Sequence, residues 1–351
     1  IFASLLLVMF FLYFRFKITF IMKKLIYSIG VIVAFVVLFS SCKDKPVGGG
    51  GIKYSNNSNG KAAEVVLVID TPYWSLPARE LIDSILQKDQ PAINQVEQMF
   101  DLLHFKNADF NAFYRKHRNI VHFDYNPQYS SNVFRINNDM WASPQVYVQI
   151  KGNNQDSCLA LFLEHQNEIV DALYLNDLKR LQLFYTDNHN AEAEKLIRDR
   201  FGIKVTVPYQ YKVLRVEEDF VWIGHRTARN DRFVMIYKSA MNGLTRENII
   251  AARNTITKKY IPGAVQGAYP ILSNVYGYPS AKACAVNGKV GIELRGLWES
   301  VNDEMGGPFV SFSFLDNSKE YCISVDGFVY APEEEKRDYI REVESIVKTV
   351  K

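Results

Sequence analysis

The chain is poor in the residues from which metal and redox centres are built. Of 351 residues, four are cysteine and six are histidine. The cysteines, at 42, 158, 284 and 322, form no Cys-x-x-Cys, so zinc-ribbon and thioredoxin-like readings lack support. His-Glu-x-x-His is absent. No Gly-x-Ser-x-Gly elbow, Walker loop or Gly-x-Gly-x-x-Gly follows a strand pattern, so serine-hydrolase, nucleotide and dinucleotide readings lack their markers. No run of basic residues is broken by aromatics, and nothing in the pattern asks for a cofactor.

One long apolar feature is present. Met22-Lys-Lys24 is a short positive region, Leu25 to Phe39 an apolar core, and Ser40-Ser41-Cys42 a small-residue end. The core is about 15 residues, the length of a signal core and short of the ~20 that span a bilayer. Leu38-Phe39-Ser40-Ser41-Cys42 resembles a bacterial lipobox, with Phe39 bulkier than usual at its place. The expectation is a signal peptide over 22–41, cleavage before Cys42 and acyl chains on that thiol. An ordinary signal peptide or an uncleaved helix is the competing account. Residues 1–21 are apolar apart from a few positions that include Arg15 and Lys17. We read them as an over-extended start, the alternative being a first membrane helix. Lys43 after the cysteine, where Asp resembles an inner-membrane retention signal, points to the outer membrane. The periplasmic face is favoured, since Lys43-Asp44 has one acid too few for a surface-export tag.

Processing changes the charge. Arg15, Lys17, Lys23 and Lys24 precede Cys42 and no acidic residue does. The whole-chain balance of +3 therefore becomes 37 basic against 38 acidic residues, or −1. A near-neutral body argues against nucleic-acid binding, which needs clustered positive charge.

The remainder reads as α+β: two halves of mixed or antiparallel sheet with packed helices, the C-terminal helix closing the second half. Residues 42–61 form a Gly/Ser/Asn-rich tether spanning roughly 24 Å as coil. In the first half, 62–202, strands at 64–70, 99–105, 120–125 and 145–150 alternate with helices at 77–87 and 109–117, and a helical region covers 154–201. Gly202 suits a left-handed helix end. The second half, 203–351, opens with short strands at 204–207, 211–216, 220–226 and 232–237. A helix at 245–260 and strands at 284–286, 290–299, 309–315 and 321–330 follow, with Asn287-Gly288 as a hairpin turn. Pro332 and Glu333 to Glu335 favour a helix start there, and Tyr339, Val343, Ile346, Val347 and Val350 make its apolar stripe. Cys284 and Cys322 are either bridged or small buried strand residues.

Several motifs recur together in the second half. They are Tyr260-Ile-Pro-Gly263 with Val265 and Gly267, Gly296-Leu-Trp-Glu299, Gly307-Pro-Phe309, Gly327 to Pro332, and Lys336-Arg-Asp-Tyr339. In these the chain resembles domain-of-unknown-function family 4837, over about residues 60–351 and most clearly after Tyr260. The resemblance implies an uncharacterised Gram-negative envelope lipoprotein and no catalytic residue.

Three sets of residues are candidates for a site. Tyr260, Tyr269, Tyr276, Tyr278 and Trp298, with Glu299, cluster in or near the Gly/Pro-rich segment 263–279 and would suit a sugar or peptide partner, unless the rings pack that loop onto the sheet. Glu293, Arg295 and Glu299 alternate on one strand face. They are either carboxylates for acid–base work or a solvated charge ladder. His122-Phe-Asp124 places two ligand types on one face, for a metal or for ordinary hydrogen bonding; His165 with Glu164 and Glu168 reads as a surface helix. The expected function is a lipid-anchored binding or assembly module of the envelope. The alternative is an anchored periplasmic hydrolase using Glu293 and Glu299.

Overall fold

Strand β1, Glu64–Val68, is apolar after its first position and buried on both faces, as a central strand requires. In the computed structural model of the chain, which describes residues 57–240, 243–275, 279–316, 318 and 320–351, β1 lies between β2 (Asp101–Phe105) and β3 (Asn119–Tyr125). Beyond β3 come β5 (Val146–Gly152) and the edge strand β4 (Val133–Asn138). The first four run parallel and β4 antiparallel, giving a mixed sheet. Helices α1 (Leu76–Leu86), α2 (Gln155–Glu164) and α3 (Gln166–Asp187) cover one face, where Ile82, Phe162 and Leu173 meet Val65, Leu67 and Val121. The other face, with Val66, Val68 and Ile120, lies under Phe110 and Trp141 from the connecting loops.

Helix α4 (Ala191–Phe201) ends at Gly202, whose φ of 69° is the left-handed conformation expected there. The second sheet is antiparallel, in the order β10-β11-β12-β13-β8-β7-β6. Its strands are β6 (Lys212–Val216), β7 (Phe220–Arg226), β8 (Asp231–Ala240), β10 (Ser280–Val286), β11 (Lys289–Val301), β12 (Gly306–Leu315) and β13 (Tyr321–Tyr330), and β9 (Tyr269–Leu272) pairs with the end of β11. Asn287 and Gly288 both take positive φ in the β10–β11 turn, the geometry this pair favours. Helix α5 (Arg246–Tyr260), capped by the Thr245 hydroxyl, covers one face through Ile249 and Ile256. On the opposite face α4 and the last helix, α6 (Arg337–Val347), bury Ile197, Ile340, Val343 and Val347 against Val310, Phe312 and Val325. The fold is therefore α+β, with a mixed and an antiparallel sheet and a C-terminal helix on the second.

All the described residues fall within one compact unit. Helix α6 also reaches the first half. The Glu97 carboxylate accepts the backbone N–H groups of Lys336 and Arg337 at 2.6 and 2.8 Å, and Arg337 pairs with Asp101 at 3.0 and 2.9 Å. Glu97 thus takes two of the orphan donors at the helix start, and the helix begins at Arg337 rather than at Pro332.

Other expectations are corrected. Residues 109–117 are 3-10 turns, Asn107–Asp109 and Tyr114–Lys116, instead of a helix. Residues 204–207 form no strand; Lys204 instead exchanges backbone hydrogen bonds with Lys351. Strands β4 and β9 were not foreseen. The end of the expected tether is fixed, since Ser58 and Asn59 donate backbone bonds to Ser143 and Lys116. Cys158, Cys284 and Cys322 are free thiols, and β11 and β12 separate the strands that carry the last two. Residues 1–56, with the signal segment, Cys42 and most of the tether, lie outside the described residues, as do Tyr276 and Tyr278.

Candidate functional site

The aromatic residues singled out from the sequence are largely interior. Tyr260 is buried; its ring stacks on Phe220 at 4.8 Å, and its hydroxyl donates to Asp219 at 2.5 Å. Trp298 is buried against Phe328 and gives its indole N–H to the Val329 carbonyl at 3.0 Å. Tyr269 is half-buried on β9, with Lys258 over its ring. Of the four residues in this set that the structure describes, Glu299 alone is exposed. It borders a shallow cleft of about 540 Å³ with Asp303, Glu304 and Lys336. Tyr260 and Trp298 therefore pack their segments onto the sheet and offer no open aromatic platform.

The face holding Glu293 and Arg295 is not a solvated ladder. Helix α6 lies over it with Glu344 and Lys348 pointing inward. Arg295 donates to Glu344 at 2.5 Å and to Glu293 at 3.3 Å; Lys348 closes the chain on Glu293, and Tyr174 of α3 also donates to Glu344. Burial works to raise the Glu293 carboxyl, but Arg295 and Lys348 hold it below the usual carboxylate range. Glu299 stands six residues further along the same strand, roughly 20 Å away at extended-chain rise. The two carboxylates do not share a cleft.

His122 is committed to hydrogen bonds. It contacts the Tyr147 hydroxyl at 2.8 Å and the Asn107 side-chain oxygen at 2.5 Å. The Asn107 amide N–H₂ is taken by Asp70 at 3.0 Å, so its oxygen accepts and the imidazole carries its proton on Nε2. Burial pushes the His122 pKa down to about 4. Asp124 accepts from Tyr129 at 2.8 Å and faces Lys151 at 3.5 Å. His165 stacks on Phe134 at 3.8 Å and pairs with Glu168 at 3.2 Å at the surface. Among the described residues no group of three ligand-type side chains could hold a metal ion.

A larger concavity lies elsewhere, between α3 and α6, where the helices of the two sheets meet. It encloses about 660 Å³ and is both polar and apolar, with Leu183, Phe184 and Pro144 beside Arg118, Asp177, Arg180, Arg341 and Glu342. Its floor is a buried ion cluster. Asp177 accepts from Arg341 at 3.0 Å, Arg118 at 3.4 Å, Asn119 at 3.2 Å and the Ala63 backbone N–H at 3.1 Å. Arg341 is further held by Gln90 at 3.1 Å and the Met99 carbonyl at 2.5 Å. Asn57, where the described chain begins, lies on the rim. Sequence reading missed this site. Its walls come from positions 57, 118, 144, 180 and 341, and no local motif joins them.

The comparisons divide the chain in the same region. Residues 190–349 match the family described as domain of unknown function (DUF4837), which bears out the resemblance over the second half of the chain. Residues 58–186 match a different family, domain of unknown function (DUF8532). The first half of the expected likeness is therefore matched by that second family instead. A search of curated proteins gives no significant match.

Proposed function

We propose that the protein is a lipid-anchored cell-envelope module that binds or assembles a partner, and that the α3–α6 cleft is where it does so. The cleft carries this reading. It is concave, partly apolar and braced by ion pairs at the meeting of two sheets, the setting in which ligand sites concentrate. The anchor rests on Met22 to Cys42. Acyl chains on Cys42 contribute ~0.8 kcal/mol per buried methylene, and two or more give a stable anchor where one does not. Lys43 after the cysteine favours the outer membrane, on its periplasmic side. The partner chemistry is that of an envelope protein or glycan. A hydrolase based on Glu293 and Glu299 is disfavoured, since Glu293 is consumed by Arg295 and Lys348.

Affinity capture from membranes tests the proposal, using the wild type, Phe184→Asp in the cleft and Glu299→Ala outside it. A partner retained by Glu299→Ala and lost by Phe184→Asp is the expected result. A small product trapped only when Glu299 is intact would replace the binding reading with the hydrolytic one.

A further inference from the structure

The charge of the cleft is unbalanced on its inner side. Arg118, Arg180 and Arg341 face it together with a single buried carboxylate, Asp177. Asp177 already accepts from Arg118 and Arg341. Arg180 has no carboxylate within ion-pair distance among the described residues; its one hydrogen bond goes to the Ser58 hydroxyl. Burial and the neighbouring Arg118 work against its charge, and Asp177, beyond ion-pair distance, supports it. Arg118 is 8% exposed; besides Asp177 it donates to the Gly60 carbonyl at 2.6 Å, and its Nε is buried without a hydrogen-bond partner. The other acids of the lining do not compensate. Glu342 is held by Arg232 at 2.5 Å, and Asp338 by Arg337 at 3.1 Å. Asp187 is exposed two helical turns beyond Arg180, about 10 Å along the axis. Beside the arginines, Leu183 and Phe184 stand 47% and 55% exposed.

Arg180 keeps guanidinium donors beyond its Ser58 bond, and Arg118 adds positive charge beside it, a setting that suits an oxyanion. Two exposed apolar side chains next to them match a short hydrocarbon. We infer that the cleft binds a phosphomonoester or phosphodiester carrying an apolar group, its phosphate on Arg180 in the field of Arg118 and its apolar part on Leu183 and Phe184. The phosphate can come from a lipid headgroup or from a soluble phosphoester. The inference rests on the cleft being the binding place and adds the ligand class.

The test uses the full chain in dodecyl maltoside micelles, which hold no phosphate, titrated calorimetrically with butyl phosphate and with inorganic phosphate. Butyl phosphate should bind one to one and more tightly than inorganic phosphate. Arg180→Gln should weaken both by about tenfold or more with the melting transition unchanged, and Phe184→Ser should abolish the preference for butyl phosphate. Phosphatidylglycerol added to the micelles should compete if the source is lipid; without competition the ligand is a soluble phosphoester. Absence of one-to-one binding, or binding indifferent to Arg180→Gln, overturns the inference. If phosphate binding holds while no partner is captured through Phe184, the broader reading fails alone.

Discussion

Arg341 of the last helix donates to Asp177 of α3 at 3.0 Å, and both side chains are almost wholly withdrawn from solvent, at 2% and 3% exposure. The bond joins residues 164 apart in the chain. A buried charge costs several kcal/mol unless it is paired. Neither residue is therefore tolerable without the arrangement that brings α6 against α3, and the pair fixes that arrangement.

Arg341→Met should destabilise the protein by ~3 kcal/mol or more, because Asp177 would keep a single cationic partner, Arg118. Asp177→Asn combined with Arg341→Met should recover part of that loss. Urea denaturation of the single and double variants measures both. Additive losses would mean that the pair is not coupled.

Val343 is fully buried against Gly327, where an added Cβ would come within 2.8 Å of the Val343 Cβ. Val343→Asp should abolish cooperative folding at 25 °C, and Gly327→Ala should cost about 1–3 kcal/mol by overpacking. Since α6 is also fastened to Glu97 and Asp101, near-ultraviolet signals from both halves should be lost together. Val343→Asp leaving a native first half would show that the halves are independent.

His122 predicts a pH dependence. Its folded pKa, about 4, lies below the ordinary 6.5, so between these values the unfolded chain binds the extra proton. Its stabilising contribution is complete above pH 6.5 and declines as the pH falls toward 4, by up to about 3 kcal/mol. His117, also lowered by burial, acts with the same sign. The urea midpoint should fall between pH 7 and pH 5, and His122→Gln should reduce that fall. An equal fall in the variant would remove His122 as a cause.

Much of the fold was legible in the sequence. β1, the strands from β6 to β13 other than β9, and helix α5 with its Thr245 cap follow from periodicity and end signals. What was hidden depends on distant partners. β4 reads Val-Phe-Arg-Ile-Asn-Asn, too polar to stand out until β5 pairs with it. The start of α6 is set by Glu97, some 240 residues earlier. Alternating charge at Glu293 and Arg295 looks the same whether it faces water or the ion-paired underside of a helix. The cleft arginines are ordinary surface residues in sequence, and only the packing of α3 on α6 makes them neighbours.

Whether the protein is lipid-anchored is read from the intact mass of the protein purified from the envelope. That mass should be of a chain that begins at Cys42 and carries two or more acyl chains on that residue, and Cys42→Ser should release the protein from membranes with the melting transition of the domain unchanged. An unmodified Cys42, or a membrane-bound Cys42→Ser variant, would contradict the lipid anchor.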